Sequence, residues 1–259
     1  MESRYQRLIR KMINDKQLPQ YVYRMRTVNR YLFDSLINGE MWFSNPSDFN
    51  DPFDCDINMQ IRNSSQEKIQ NYFDKYLIKH FGKKELSNIN KERISREEFE
   101  KLLNIVAKRV TNRKGIACFL SNCENLLMWA HYADSHRGIS LKFDVLEDTE
   151  FFSPSKKVLY TEDYPEYDYL TDKNDFVNQM FFTKSKEWNY EGEVRVLKNK
   201  NGNYRFNPNS LKEIVFGCKT PEGDKKTLTK IIKNYYPNTK LIQATKNESR
   251  FGLEFTEIK

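Results

Sequence analysis

Two carboxylates stand two residues apart in the stretch Tyr190-Glu191-Gly192-Glu193-Val194-Arg195-Val196-Leu197. Residues two apart in a strand share a face, so Glu191, Glu193 and Arg195 are expected to project one way and Val194 and Val196 the other. Carboxylates fixed on a rigid strand can stabilise a developing cation and receive a proton. The plainer reading of the same spacing is a solvated strand face on which Arg195 pairs with a glutamate.

Three other places carry polar or aromatic groups of use in a site. Arg24 follows Tyr23 at the end of an apolar run; it is a solvated side chain or a planar bidentate donor for phosphate. Ser121 closes a second apolar run and begins Ser121-x-x-Glu124, a capping box. It is a helix N-cap, a strand-end hydroxyl lining a cleft, or both. Trp129 and Tyr132 are i, i+3 neighbours on the helix that follows, and serve either as core or as a stack for a planar ring. Asn50, Asp51 and Asp54 suit turns, or a metal.

The elements that must hold these residues follow from periodicity and punctuation. Tyr21 to Met25 reads as a strand, Val28 to Asn38 as a helix stopped by Gly39, and Met41 to Phe43 as a strand. The turn-rich Ser44–Asp54 segment holds Phe49 and Phe53, and buried aromatics would make it a packed loop. Ile69, Tyr72, Phe73, Tyr76 and Leu77 have amphipathic-helix spacing, and Ser95–Glu98 is a capping box opening a second helix. Strands are expected at 115–120, 138–145, 158–160, 193–197, 213–216, 241–245 and 253–257. Helices are expected at 122–133 and at 224–235, the latter capped by Asp224. Residues 176–182 fit either state. The expected fold is α+β in one domain, with core 20–60 and 115–259 and a helical insertion at about 64–114.

The chain has 259 residues, with 18 Phe, 15 Tyr and 3 Trp to build a core, and a net charge of +7. That charge admits a polyanionic partner without requiring one. No apolar run reaches the roughly 18 residues of a membrane span, so no membrane partner is expected. The start lacks the apolar core of a signal peptide. Four cysteines without a C-x-x-C pair fit a reduced, cytoplasmic chain. The three histidines lack zinc-ligand spacing. G-x-G-x-x-G, P-loop, H-E-x-x-H and G-x-S-x-G patterns are all missing.

Residues 36–54, with Phe49-Asn50-Asp51-Pro52-Phe53-Asp54, then 126–132 (Leu-Leu-Met-Trp-Ala-His-Tyr) and 186–195 (Lys-Glu-Trp-Asn-Tyr-Glu-Gly-Glu-Val-Arg) resemble a bacterial family catalogued as a domain of unknown function. More distantly, the order strand with Arg, strand ending in Ser, helix with Tyr, then E-x-E resembles the ADP-ribosyltransferase superfamily. That resemblance implies its split β-sheet core, with NAD as substrate and no metal. It places Glu193 on the ribose 2′-hydroxyl as the catalytic residue and Glu191 on the acceptor. Arg24, Ser121 and Tyr132 or Trp129 would bind NAD. The chain departs from that superfamily in lacking a full S-T-S and in carrying the helical insertion. A toxin or anti-phage effector, with an antitoxin or regulatory protein as partner, goes with that resemblance; the basic charge suits nucleic acid (RNA or DNA) as the acceptor, with protein open. Two other readings of the residues stand beside it. One is a non-enzymatic nucleic-acid or protein-binding module. The other is a metal-dependent nuclease using Asp51, Asp54 and Glu193.

Overall fold

The computed structural model describes residues 3–56, 59–61, 64–82, 84, 86–87, 89, 92–164, 167–168, 170 and 176–258. The chain is a mixed α+β protein built around a mostly antiparallel sheet. It divides into two compact units. The first comprises Met1–Ser44, Gly115–Val158 and Glu187–Lys259; the second comprises Asn45–Lys114 and Leu159–Lys186.

The first unit holds an eight-stranded sheet. Its order is Leu253–Ile258, Lys240–Lys246, Leu211–Phe216, Ile139–Asp144, Tyr21–Arg26, Gly115–Leu120, Glu193–Lys198 and Ser155–Lys157. Neighbours are antiparallel except Leu211–Phe216 and Lys240–Lys246, which run parallel. A parallel pair needs a crossover, and the helix Glu222–Tyr235 supplies it. One sheet face buries Val22, Phe119, Phe143, Val194 and Val196 against three helices. These are Arg4–Asn14 through Ile9, Arg30–Asn38 through Leu32 and Leu36, and Glu222–Tyr235 through Leu228 and Ile232. Each fully buried phenylalanine contributes about 1.5–3 kcal/mol of transfer free energy before the entropic cost of ordering it. The opposite face buries Met25, Leu120, Val215, Ile242 and Ala244 against Met128 and Trp129 of the short helix Leu126–Tyr132. A small two-stranded antiparallel sheet, Glu40–Phe43 with Gly202–Arg205, completes the unit.

Several boundaries differ from those expected. Gly39 ends its helix in the left-handed region at φ +63, but the helix starts at Arg30 because the Asn29 side chain caps it. Ser121 does not cap the next helix. The Asn122 side chain accepts from Glu124 N in a turn, and Asn125 is the N-cap of a helix that begins only at Leu126. The helix at 222–235 follows Pro221, which lacks a capping side chain. Asp224 sits inside the first turn, where its charge suits the helix dipole. Residues Phe176–Phe181 are helical, and Arg4–Asn14 is a helix with a Ser3–Gln6 capping box that the reading of the sequence overlooked.

In the second unit, Arg96–Thr111 opens with the Ser95–Glu98 capping box. It buries Phe99, Leu102 and Leu103. Gln66–Tyr72 is α-helical and runs into a π turn, Phe73–Leu77. That turn breaks the 3.6-residue register; Ile69, Phe73 and Leu77 are buried while Tyr76 is exposed. Polar groups brace the 45–54 segment. Asn45 Nδ2 donates to Asn112 O at 2.6 Å, and Asp51 Oδ1 accepts from Phe53 N at 2.9 Å. Phe53 itself is 66% exposed, contrary to the packed aromatic loop expected.

Candidate carboxylate site

The site is built where the Glu193–Lys198 strand meets Gly115–Leu120. Register fixes which side chains share a face: Tyr23 lies opposite Leu120, and Leu120 opposite Glu193. These three therefore point to the side covered by Leu126–Tyr132. Alternation sends Arg24 and Val194 to the other side.

Glu193 and Arg195 form a bidentate ion pair. Arg195 Nε donates to Glu193 Oε1 at 2.8 Å and Nη2 to Oε2 at 3.0 Å. The two residues are 3% and 1% exposed. Fork-to-fork geometry of this kind is the strong form of a carboxylate–guanidinium contact. The ion pair anticipated from the spacing is present, but on a buried face and not a solvated one.

Glu191 is not on the strand. It ends a 3₁₀ helix, Lys186–Glu191, and Gly192 then takes φ +55 before the strand begins at Glu193. The strict alternation expected from Glu191 to Arg195 is thus broken at Gly192. Glu191 is nonetheless buried, and the Tyr132 hydroxyl donates to its Oε1 at 2.8 Å. Ser121 N donates to Gly192 O at 3.0 Å. A Cβ on Gly192 would stand 2.8 Å from Ser121 Oγ, so residue 192 must lack a side chain for Ser121 to sit there. Asn125, which caps the helix, also donates from Nδ2 to Tyr190 O at 2.6 Å. One side chain thereby ties the helix of Tyr132 to the segment of Glu191. Tyr190 in turn lies 6.4 Å from the His131 ring and 6.0 Å from Trp188, centroid to centroid.

Four of the residues singled out from sequence, Ser121, Tyr132, Glu191 and Glu193, therefore converge around Gly192. Two do not. Trp129 is fully buried, donates from Nε1 to Cys123 O at 2.7 Å and stacks on His136, so its ring is core and not a free stacking surface. Arg24 lies on the far face of the sheet, with Cζ 5.7 Å from the Phe119 ring centroid. Burial pushes its guanidinium down to about 9, and the charge of Arg26 adds to that effect. Asn125 and Tyr23 belong to the site's surroundings and escaped the sequence reading. Asn125 carried one usable signal, an Asn just before an apolar helical run. Burial raises the Tyr23 phenol above its ordinary value.

The acidic groups of the 45–54 loop have structural partners. Asp51 accepts from the Phe53 amide, and the nearly buried Asp54 carboxylate lies 3.9 Å from Lys184 Nζ. Among the described residues no group of three or more His, Cys, Asp and Glu side chains is placed to hold a metal ion. No helix is long and apolar enough to cross a membrane.

Residues 128–196 match the model of a family described as a protein of unknown function, DUF2971. That span takes in Met128 to Tyr132 and the whole Glu191–Arg195 segment, and leaves out the 49–54 motif. Neither a curated protein nor a solved structure matches the chain.

Proposed function

We propose that the protein is an ADP-ribosyltransferase that consumes NAD through the patch around Gly192. An ADP-ribosyltransferase-like arrangement of the central sheet is part of this proposal. The observation that carries it is the convergence of Ser121 and Tyr132 with Glu191 and Glu193, two segments far apart in sequence. Breaking the bond between nicotinamide nitrogen and ribose C1 leaves positive charge on the ribose, as in glycoside hydrolysis. Carboxylates already fixed by Arg195 and Tyr132 stabilise that charge without reorganising. Nicotinamide departs neutral with the bonding pair. The acceptor's nucleophile then bonds to C1, and its proton passes to Glu191. The net charge of +7 suits RNA or DNA as the acceptor, with protein as the other choice. A toxin or anti-phage role under a regulatory partner belongs to the same proposal.

A second reading, a non-enzymatic binding module, is favoured by one observation: Glu193 and Arg195 neutralise each other in a buried position. Nicotinamide release from NAD separates the two, measured with RNA and with cell lysate as acceptors. Glu191→Gln keeps an oxygen for the Tyr132 hydroxyl and so preserves the fold. It is expected to lower release by about 10²–10³-fold, the usual cost of removing a preorganised stabilising group. Absence of release by the unaltered protein with both acceptors rejects the transferase and leaves the binding module.

A further inference from the structure

On the sheet face away from Glu193, the first strand presents two arginines two residues apart. Arg24 lies opposite Leu141 and Arg26 opposite Ile139, so neither meets a carboxylate across the strand. Arg24 Nη2 donates to Trp42 O at 3.1 Å, while Nη1 is buried without a hydrogen-bond partner among the described residues. The Arg26 side chain forms no hydrogen bond or ion pair among the described residues, and burial lowers its guanidinium as well. The two acids that line the same cavity as these arginines are engaged elsewhere: Glu40 with Arg205 at 3.2 Å and Asp34 with Arg30 at 3.5 Å.

Charged donors left unpaired away from water are costly, and two like charges side by side are more so. A ligand with two anionic groups removes both costs. The arginines line a cavity of about 750 Å³ within the first unit. Tyr31 and Trp42 also line it, 77% and 45% exposed, and neither ring packs on another aromatic ring among the described residues. Trp42 sits between buried Met41 and Phe43 on the Glu40–Phe43 strand, so alternation turns it outward. Asn38 and Asn203 add amide groups able to bind sugar hydroxyls. Paired guanidinia, exposed aromatic faces and amides match the three parts of a nucleotide: phosphates, base and ribose.

We propose that this cavity binds a nucleoside diphosphate, with its phosphates on Arg24 and Arg26 and its base against Trp42 or Tyr31. The proposal is independent of the transferase reading, because the carboxylate patch lies on the other side of the sheet.

Titration calorimetry of the full chain with ADP tests it, with adenosine and pyrophosphate as the separated halves. ADP is expected to bind at least about ten-fold tighter than either half. Arg26→Gln is expected to weaken ADP by about 10- to 100-fold, the range for one hydrogen bond to a charged group. Trp42→Ala is expected to weaken it by about ten-fold, as loss of one stacked base does. Arg24→Gln removes a packed side chain, so its melting curve is taken alongside; Arg26→Gln, which breaks no hydrogen bond or ion pair among the described residues, carries the test if Arg24→Gln unfolds. The proposal is overturned if ADP, GDP and UDP all fail to bind at roughly millimolar concentration. It is equally overturned if pyrophosphate binds as tightly as ADP, or if Arg26→Gln has no effect.

Discussion

Replacing Arg195 by methionine leaves the Glu193 carboxylate in place and removes the fork that holds both of its oxygens. Methionine fills much of the same volume, so the change isolates charge from packing. Removing one partner of a buried ion pair costs about 3–5 kcal/mol, because the other charge stays behind at low dielectric. The two hydrogen bonds to Glu193 alone, at about 1.5–3 kcal/mol each, give a similar figure. For a chain of this size the loss lowers the melting temperature by roughly 6–20 °C. Circular dichroism melts and urea titrations of Arg195→Met, Glu193→Leu and the double variant close the cycle. The double variant buries no charge, so it is expected to regain at least about 2 kcal/mol relative to Arg195→Met. Two results refute the reasoning: Arg195→Met melting within about 2 °C of the unaltered protein, or a double variant as unstable as the two single losses added.

Three more outcomes are expected. Gly192→Ala loses about 1 kcal/mol or more from φ +55 alone, and further stability from the contact with Ser121 Oγ; adding Ser121→Ala recovers the second part, and urea midpoints that ignore residue 121 contradict this. Burial, together with Lys219 and Lys246, lowers the His136 pKa below its ordinary 6.5, so below about pH 6.5 the unfolded chain binds more protons and stability falls with pH. His136→Asn, which tolerates φ +70, is expected to show a shallower stability loss between about pH 7.5 and 5, and equal slopes would exclude the effect. Burial and then the neighbouring Glu124 push the Cys123 thiol up to about 12, so N-ethylmaleimide at about pH 8 should spare it in the folded protein and label it in urea, as mass spectrometry reads directly; labelling at the unfolded rate would count against that shift.

Much of the strand framework is legible in the chain. Apolar runs such as Gly115 to Leu120 and Glu193 to Leu197 mark their own strands, and Gly39 and Ser95–Glu98 mark a helix end and a helix start. The α+β class follows from these. What is hidden is parity. Whether Arg24 shares a face with Glu193 depends on the pairing of Tyr23 with Leu120 and of Leu120 with Glu193, and no local pattern encodes which residues pair across strands. The same holds at Glu191, where one glycine at positive φ converts an apparent alternation into a corner. At Ser121 two capping residues competed within four positions, and Asn125 prevailed because its amide group also satisfies Tyr190 O. Trp129 and Tyr132 looked alike at i, i+3, yet only tertiary packing decides that one is enclosed and the other reaches Glu191.

The central position of the first strand bears on how the chain is made. Tyr21–Arg26 is hydrogen-bonded to Gly115–Leu120 on one edge and to Ile139–Asp144 on the other. Both partners lie beyond Asn45–Lys114, the first of the two segments that form the second unit. After the first strand is synthesised, roughly 120 further residues must follow before its second neighbour exists, about 6–24 s at ribosomal speeds of 5–20 residues per second. Through that interval a short apolar strand bearing two arginines has at least one edge open. The charges of Arg24 and Arg26 then discourage edge-to-edge pairing between nascent chains.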